Sequence, residues 1–423
     1  MVSYLKGGKT GNVAQSDSRK VTPIKQTSDG AKSRAWMWPF SLLLFVILVD
    51  SIDATSYGPV MAQIKSAWRM SNTGVGVYTS MYGLLSILVA VPIGEAVRRW
   101  GVKRAVMGAV TIIFFGMMLM ATADAFPQGL TGRIFASTGI RAATVASWAG
   151  AATIAPASVM TSAWTIMNTA NAGGAIIGPS VVGGYVGSHF GWQGVFFTLA
   201  GFSAFCFFLI WLFLRMPSAR TAAPDSAAAS TAISRFNVYR CWDIYLMGLI
   251  FTFMIGSSQV SIMSFAPLAM AHRWNMDPQA IGNVIGLSYS VGLPVMFLAG
   301  ILADKLRTRK KIMIAAGIPM AAGLFMLTSQ DQTLFGLGLV GYLGFTYAPG
   351  AMIYACAPDV VPKGTSLGPV YGLLVAISNA GSFFVPIIVG RIRDATGDFN
   401  SSFILLGVLC TISLLLCLKL RVR

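Results

Sequence analysis

Long apolar runs, each close to the roughly 20 residues that a bilayer-crossing helix needs, follow one another along almost the whole chain. Twelve can be placed, at 37–60, 72–94, 104–124, 128–154, 160–187, 192–215, 242–270, 281–302, 311–329, 333–357, 364–390 and 401–419. Most of the glycines and prolines fall inside these runs rather than between them, which favours packed helices over a barrel. Between the sixth and seventh runs lies MPSARTAAPDSAAASTAISRFNVYR (216 to 240), polar and alanine-rich, which leaves six runs on either side. The pattern predicts an all-α integral membrane protein of twelve transmembrane helices. Its parts are a first six-helix bundle over 37–215, a linker over 216–241, a second bundle over 242–419 and a short C-terminus over 420–423. Residues 1–36, rich in Lys, Ser, Gly and Thr, predict a disordered basic tail. The run after them is of full spanning length and has no small-residue cleavage site behind it, so it predicts a first span rather than a signal peptide.

Composition agrees with the pattern. With 55% hydrophobic and 11% charged residues and a mean hydropathy of +0.69, the chain lies outside the range of soluble domains. A net charge of +17 would suggest a nucleic-acid partner in a soluble protein, but its placement excludes that reading. With the N-terminus inside, inner segments hold 24 Lys and Arg and outer loops only five, namely Lys65, Arg69, Arg273, Arg391 and Arg393. That asymmetry predicts both termini in the cytoplasm and the chain as a multi-pass protein of the plasma membrane, the inner membrane in a bacterium. The five cysteines, at 206, 241, 356, 410 and 417, have no metal-ligand spacing, and His189 and His272 lie in short connections. No metal or catalytic centre is expected. Gly286-Leu287-Ser288 resembles an intramembrane serine protease motif, but no later helix holds a histidine to act as its base. With no phosphate-binding loop either, neither an enzyme nor an ATP-driven pump is expected, and no cofactor is implied.

Four charges stand deep inside spans: Asp50, Asp53, Arg133 and Arg141, all in the first half. An ionised side chain at mid-bilayer costs at least about 2.5–3.5 kcal/mol on the insertion scale, so such residues are rare, usually paired and functional. Asp50 and Asp53 are three apart and share a helix face; Arg133 and Arg141 are eight apart and nearly do. Depth counting at about 1.5 Å per residue pairs Asp53 with Arg133 and Asp50 with Arg141. Desolvation and a neighbouring arginine pull a carboxyl's proton affinity in opposite directions, so Asp50 and Asp53 are the candidate proton-coupling groups. The second half offers only neutral polar groups, Gln259, Tyr289, Tyr347, Tyr354 and Asn379, joined by Asn168 and Asn171 from the fifth span. Trp148 and Trp164 are expected to anchor at the membrane interface.

The halves repeat. GEAVRRWGVKR (94 to 104) follows the second span and GILADKLRTRKK (300 to 311) the eighth, and an internal repeat of about 200 residues with six spans per copy is the signature of a two-bundle transporter. These loops resemble the signature of the major facilitator superfamily. Gly300, Asp304 and Lys305 match it, with Arg309 and Lys310 as the basic tail, although Arg307 replaces the second glycine. In the first copy Gly94, Arg99 and Gly101 match, while Arg98 holds the aspartate position and Glu95, the chain's one glutamate, lies three residues earlier. Arg133 followed by Gly139, HFGWQGVFF (189 to 197) and GRIRDATGDF (390 to 399) also fit that family. GGAIIGPSVVGG (173 to 184) resembles the Gly-Pro motif of proton-coupled drug antiporters, one residue too long after Pro179. Asp53 is similar to the first-helix aspartate of the anion:cation symporter branch, though Ala54 follows it rather than a basic residue.

The resemblance implies two pseudo-symmetric six-helix bundles with a central cavity between them, lined in part by the first and fourth spans. It also implies a cytoplasmic gate built from Glu95, Arg99, Asp304 and Lys305. The expected function is alternating-access transport of a small organic anion of the carboxylate class, coupled to protons as the energy source. Asp50 and Asp53 would carry the proton; Arg133, Arg141, Asn168, Asn171, Gln259, Tyr354 and Asn379 would bind the substrate. The alternative is proton-coupled export of drugs or other cationic or lipophilic compounds. A functional monomer embedded in lipid, with a small-molecule substrate and no nucleic acid, is expected.

Overall fold

A computed structural model describes residues 36–156, 159–216, 241–306, 308–362 and 367–420. The basic tail and most of the linker expected from the sequence lie outside the described residues. Among those described the chain is helical throughout, without a strand: α1 (Met37–Ser56), α2 (Met61–Ala67), α3 (Asn72–Ala121), α4 (Phe126–Ile154), α5 (Met160–Ile177), α6 (Gly187–Phe213), α7 (Trp242–Phe251), α8 (Ser257–Trp274), α9 (Pro278–Leu306), α10 (Arg309–Met326), α11 (Gln332–Leu343), α12 (Tyr347–Cys356), α13 (Leu367–Thr396) and α14 (Asn400–Lys419).

These fourteen helices make twelve passes. Gly101, at φ 81° and ψ 161°, breaks α3 into the second and third spans. Gly191, at φ 67°, separates the end of the fifth span from the sixth within α6. Both sit in left-handed backbone that glycine adopts without strain. A π-helical stretch, Gly178–Val186, carries the fifth span onward from α5, and another, Thr252–Gly256, joins α7 to α8 as the seventh. α11 and α12 together form the tenth. Eight helical stretches are apolar enough to cross a bilayer by length and composition alone, one of them, Ser162–Phe213, holding two spans. α4 is not one of them, since it carries Arg133, Arg141 and many small residues. Bulky apolar side chains such as Phe115, Phe208 and Leu415 cover the outside, more than half exposed, as a lipid-facing surface requires. One boundary differs from expectation: the first pass ends at Ser56, and the chain turns through Gly58 and Pro59 into the short helix α2, where a plain loop was expected.

The two halves carry matching fastenings. Lys103 Nζ donates to the Trp211 carbonyl at 2.8 Å, and Lys310 Nζ to the Leu418 carbonyl at 2.8 Å. Each pair spans 108 residues, and the second is offset from the first by 207, from 103 to 310 and from 211 to 418. In both halves a signature-loop lysine satisfies the last carbonyls of the sixth helix of its own bundle, where a cation also complements the helix dipole.

At one end of the molecule the halves touch backbone to backbone. A Cβ on Gly76 would strike the Pro386 backbone, one on Gly83 the backbone of Ser382 and Phe383, and one on Gly390 the backbone of Asn72. The second and eleventh spans therefore run antiparallel in direct contact. The fifth and eighth do the same, with Gly282 against Pro179 and Gly286 against Ser180. Asp394 at the end of α13 fastens the first of these seams. It accepts hydrogen bonds from the Asn72 and Thr73 backbone N–H groups at 3.0 and 2.7 Å, and from Asn72 Nδ2 and Thr73 Oγ1 at 2.7 and 2.6 Å. One carboxylate thus caps the start of α3 from the opposite bundle. Lys65 of α2 joins through Asn72 Oδ1 at 2.6 Å; burial, and Arg393 beside it, hold its ammonium below the ordinary lysine range. At the other end, a Cβ on Gly94, Gly300 or Gly372 would meet nothing within 4 Å, and the halves separate.

Asp394→Ala removes every one of these bonds, a loss of about 1–3 kcal/mol even after water compensates. In a background free of the five native cysteines, a cysteine at the buried seam position Ser382 is expected to react with maleimide at least about fivefold faster when Asp394→Ala is added. An unchanged labelling rate would mean that the glycine contacts alone keep this end shut.

Candidate functional site

α1 packs between α4 and the fifth span, and its second half brings Asp50 and Asp53 into the interior. Asp50 is 4% exposed, Asp53 1% and Arg133 1%. Asp53 also stands in the last turn of α1, where the helix dipole disfavours negative charge. Neither predicted pair meets at ion-pair distance: the three ion pairs among the described residues are Arg98 and Arg99 with Glu95, and Arg309 with Asp359. Aromatic rings intervene instead. The Arg133 guanidinium lies 4.4 Å from the ring centre of Tyr57 and 5.1 Å from that of Tyr78. Arg141 lies 4.1 Å from the Tyr82 ring centre and also bonds its hydroxyl. A delocalised guanidinium stacks on a phenol face at little desolvation cost, so the tyrosines of the first and second spans take the place given to the aspartates.

The carboxylates differ in their bonding. Asp50 Oδ2 lies 2.7 Å from Thr144 Oγ1, whose single proton is shared with the Ile140 carbonyl at 2.8 Å. Both oxygens of Asp53 lack any hydrogen-bond partner, as do Arg133 Nε, Arg141 Nε and the hydroxyls of Ser137 and Ser147 on α4. Buried polar groups are ordinarily satisfied, so this cluster between α1 and α4 is chemically open. A proton, an anion or a rearranged neighbour can complete it.

Beyond Tyr82 lies a cavity of about 970 Å³ whose wall includes Gly300 and Ile301, at the head of the second basic loop. Of the predicted substrate residues, Asn168, Asn171, Gln259 and Tyr354 line it. Asn379 does not, because its Nδ2 turns back to the Val375 carbonyl at 2.8 Å. Neither Arg133 nor Arg141 lines the cavity; Arg141 reaches it through Tyr82, which does. Ser51, next to Asp50, donates to the Asn171 carbonyl at 2.6 Å and so ties α1 to that wall. Sequence reasoning missed much of the lining, including Tyr82, Phe251, Phe297 and Tyr371. Trp164, expected at the membrane interface, also faces the cavity and stacks on Trp148 with ring centres 4.7 Å apart. Isolated aromatics in apolar helices carry no signal that separates a cavity wall from a lipid face.

Of the expected gate, Glu95 and Arg99 do meet, but within one turn at the end of the second span, with Arg98 as a second partner at 2.6 Å. Lys305 is exposed, and the Asp304 side chain lies outside the described part of the molecule. Arg309 instead joins the ninth span to the end of the tenth, bonding Asp359 at 2.7 Å and the Ala355 carbonyl at 2.8 Å.

The family model described as Major Facilitator Superfamily matches residues 43–261 and 244–423. The chain belongs to the major facilitator superfamily. Relatives within it include the 3-(3-hydroxy-phenyl)propionate transporter of Escherichia coli (strain K12), 24% identical over 379 residues that cover 86% of this chain and 89% of that one. Another is the probable galactarate/D-glucarate transporter GudP of Bacillus subtilis (strain 168), 21% identical over 440 residues and 92% of each chain. Among solved structures, a D-xylose-proton symporter superposes with a TM-score of 0.77 at 16% identity, covering 91% of this chain and 98% of its own. A bacterial homolog of the human lysosomal transporter Spinster, inward-facing and occupied, gives 0.74 at 14% identity, covering 92% and 97%. These structural likenesses concern the superfamily fold. The superfamily and the relatives are transporters, and this chain is a multi-pass membrane protein of that kind.

Unequal bonding of the two aspartates gives an expected order of stability. Thr144→Val removes the donor to Asp50 and should cost about 1.5–3 kcal/mol, the range for a bond to a charged group. Asp53→Asn breaks no bond and relieves a buried charge, so it should cost less than about 1 kcal/mol or raise stability. Thermal unfolding of the detergent-purified variants checks the order, and the reverse order would mean that Asp53 is the better-satisfied acid.

Proposed function

We propose that the chain is a secondary transporter that moves a small organic anion of the carboxylate class together with protons, by alternating access. The observation that carries this reading is Asp53, a buried aspartate with neither oxygen bonded, one turn from Asp50 on a helix packed against α4, which carries Arg133 and Arg141. A group left this open changes its proton occupancy when its neighbours move. In this reading Asp50 and Asp53 carry the proton. Arg141 takes the substrate carboxylate when the Tyr82 ring turns aside, Arg133 balances Asp53, and Asn168, Asn171, Gln259 and Tyr354 supply neutral contacts. The names of the two relatives, a phenylpropionate and a sugar diacid transporter, support a carboxylate. The proton gradient is the energy source, and no cofactor enters.

The distribution of basic residues supports a plasma-membrane location with both termini in the cytoplasm, so that the cavity faces the cytoplasm in this conformation. Glu95, Arg99, Asp304 and Lys305 would then belong to the gate that closes this end in the opposite state. The aromatic lining, together with Gly178 and Pro179 in the fifth span, favours a second reading, proton-driven export of lipophilic cations.

Proteoliposomes under an imposed proton gradient separate the two. Uptake of one or more labelled carboxylates is expected to rise with an inward gradient and to fall by at least about tenfold, the equivalent of 1.4 kcal/mol, in Asp53→Asn and in Arg141→Ala. Gradient-driven movement of lipophilic cations with no response to carboxylates would sink the anion reading. Uptake unaffected by Arg141→Ala would remove Arg141 as the anion's partner.

A further inference from the structure

The cavity is chemically two-sided, and the division follows the two halves of the chain. Every buried intramembrane charge comes from the first half, and Arg141 meets the cavity at Tyr82. The second half contributes rings. Phe251 of α7 and Tyr354 of α12 lie edge to face with centres 5.5 Å apart, and Tyr371 of α13 extends the row at 6.2 Å from Tyr354. All three line the cavity, and Trp164 faces it from the fifth span. The two sides face one cavity: Tyr82, whose hydroxyl Arg141 bonds, and Tyr354 both line it.

Two of the three amide side chains on the cavity wall are already engaged. Asn168 Nδ2 already donates to the Trp164 carbonyl at 3.0 Å, and Gln259 Nε2 to the Tyr289 hydroxyl at 3.3 Å. A sugar acid would have to displace those amide bonds to pair its own hydroxyls there, which costs affinity. A planar ring would instead extend the existing edge-to-face row, with the electron-rich faces and positive edges of the rings in register.

We infer that the cavity takes an aromatic carboxylate, its ring against Phe251, Tyr354 and Tyr371 and its carboxylate on a short arm toward Arg141. This rests on the carboxylate reading and narrows it to one substrate class. The arm reaches toward Arg141 because Tyr82, which Arg141 bonds, lines the same cavity as the rings, and the preference for a ring over a saturated body follows from the edge-to-face contact of Phe251 with Tyr354.

The test is direct binding to the detergent-purified full chain, without a gradient, by calorimetric titration with 3-phenylpropionate, 3-cyclohexylpropionate and glucarate. The aromatic acid is expected to bind about tenfold more tightly than either of the others, as two or three ring contacts would give. Tyr354→Leu should bring the phenyl and cyclohexyl acids to within about twofold of each other, while Tyr354→Phe keeps the gap. Phe251→Leu provides the same comparison at a second ring should Tyr354→Leu fail to fold. Equal binding of the phenyl and cyclohexyl acids, or tighter binding of glucarate, overturns the aromatic class and leaves the carboxylate reading standing. Absence of binding by all three acids overturns both.

Discussion

Backbone contact between antiparallel helices at one end of the molecule decides where everything else can be. Lipid tails are as apolar as leucine, so helices in a bilayer are held by close packing and hydrogen bonds rather than by exclusion of water. Where Gly76, Gly83 and Gly390 meet Pro386, Ser382 and Asn72, and where Gly282 and Gly286 meet Pro179 and Ser180, a missing side chain lets one backbone rest on another. Helices that touch so closely at one end and cross at an angle must diverge at the other. The cavity is that divergence, and its walls are the faces that the seams leave unpaired.

Once the cavity exists, burial sorts the charges. Ionised groups so far from water survive where something softens their desolvation, and this chain does so unevenly. The arginines lie against phenol faces, Arg133 against Tyr57 and Tyr78 and Arg141 against Tyr82, while the aspartates receive one shared hydroxyl between them. Arginine, always charged and broad, is made comfortable; aspartate, able to shed its charge by taking a proton, is left exposed to the cost. A proton-driven device needs this inequality, because only an acid in unstable circumstances responds to small changes around it.

Apolar periodicity made the twelve passes legible, and the repeated basic loops made the two halves legible, since both patterns arise from the bilayer itself. The signature lysines had a further role that the sequence pattern could not express: Lys103 and Lys310 bond the carbonyl ends of the sixth and twelfth helices. In the site, the intramembrane charges announced themselves by their cost. Depth counting could not foresee Tyr57, Tyr78 and Tyr82 as the arginines' neighbours, because a tyrosine in an apolar helix is inexpensive anywhere. The same indifference hid Trp164, Phe251 and Tyr371. Asp394 was hidden for another reason: its partners at Asn72 and Thr73 lie more than 320 residues away, in the other bundle, and local sequence does not register a cap supplied from so far.

The two seams are not equivalent, and the difference bears on how the site could open the closed end. The seam between the second and eleventh spans is fastened by Asp394 at its rim. The seam between the fifth and eighth spans contains the π-helical stretch Gly178–Val186, whose wider turn is a softer element than regular helix and recurs at functional sites. That stretch also rests on α1. A Cβ at Gly174 would strike the Leu48 carbonyl and Ser51, one at Gly178 would strike Ile52 and Thr55, and one at Gly183 the Ser56 carbonyl. The residues of α1 in this contact are those on either side of Asp50 and Asp53. Any shift of α1 that follows a change of charge at the aspartates therefore bears on the fifth span without an intervening layer, and the fifth span holds half of a seam. Charge state, helix position and closure of the far end are thus joined through two successive backbone contacts, a short mechanical path with little slack in it.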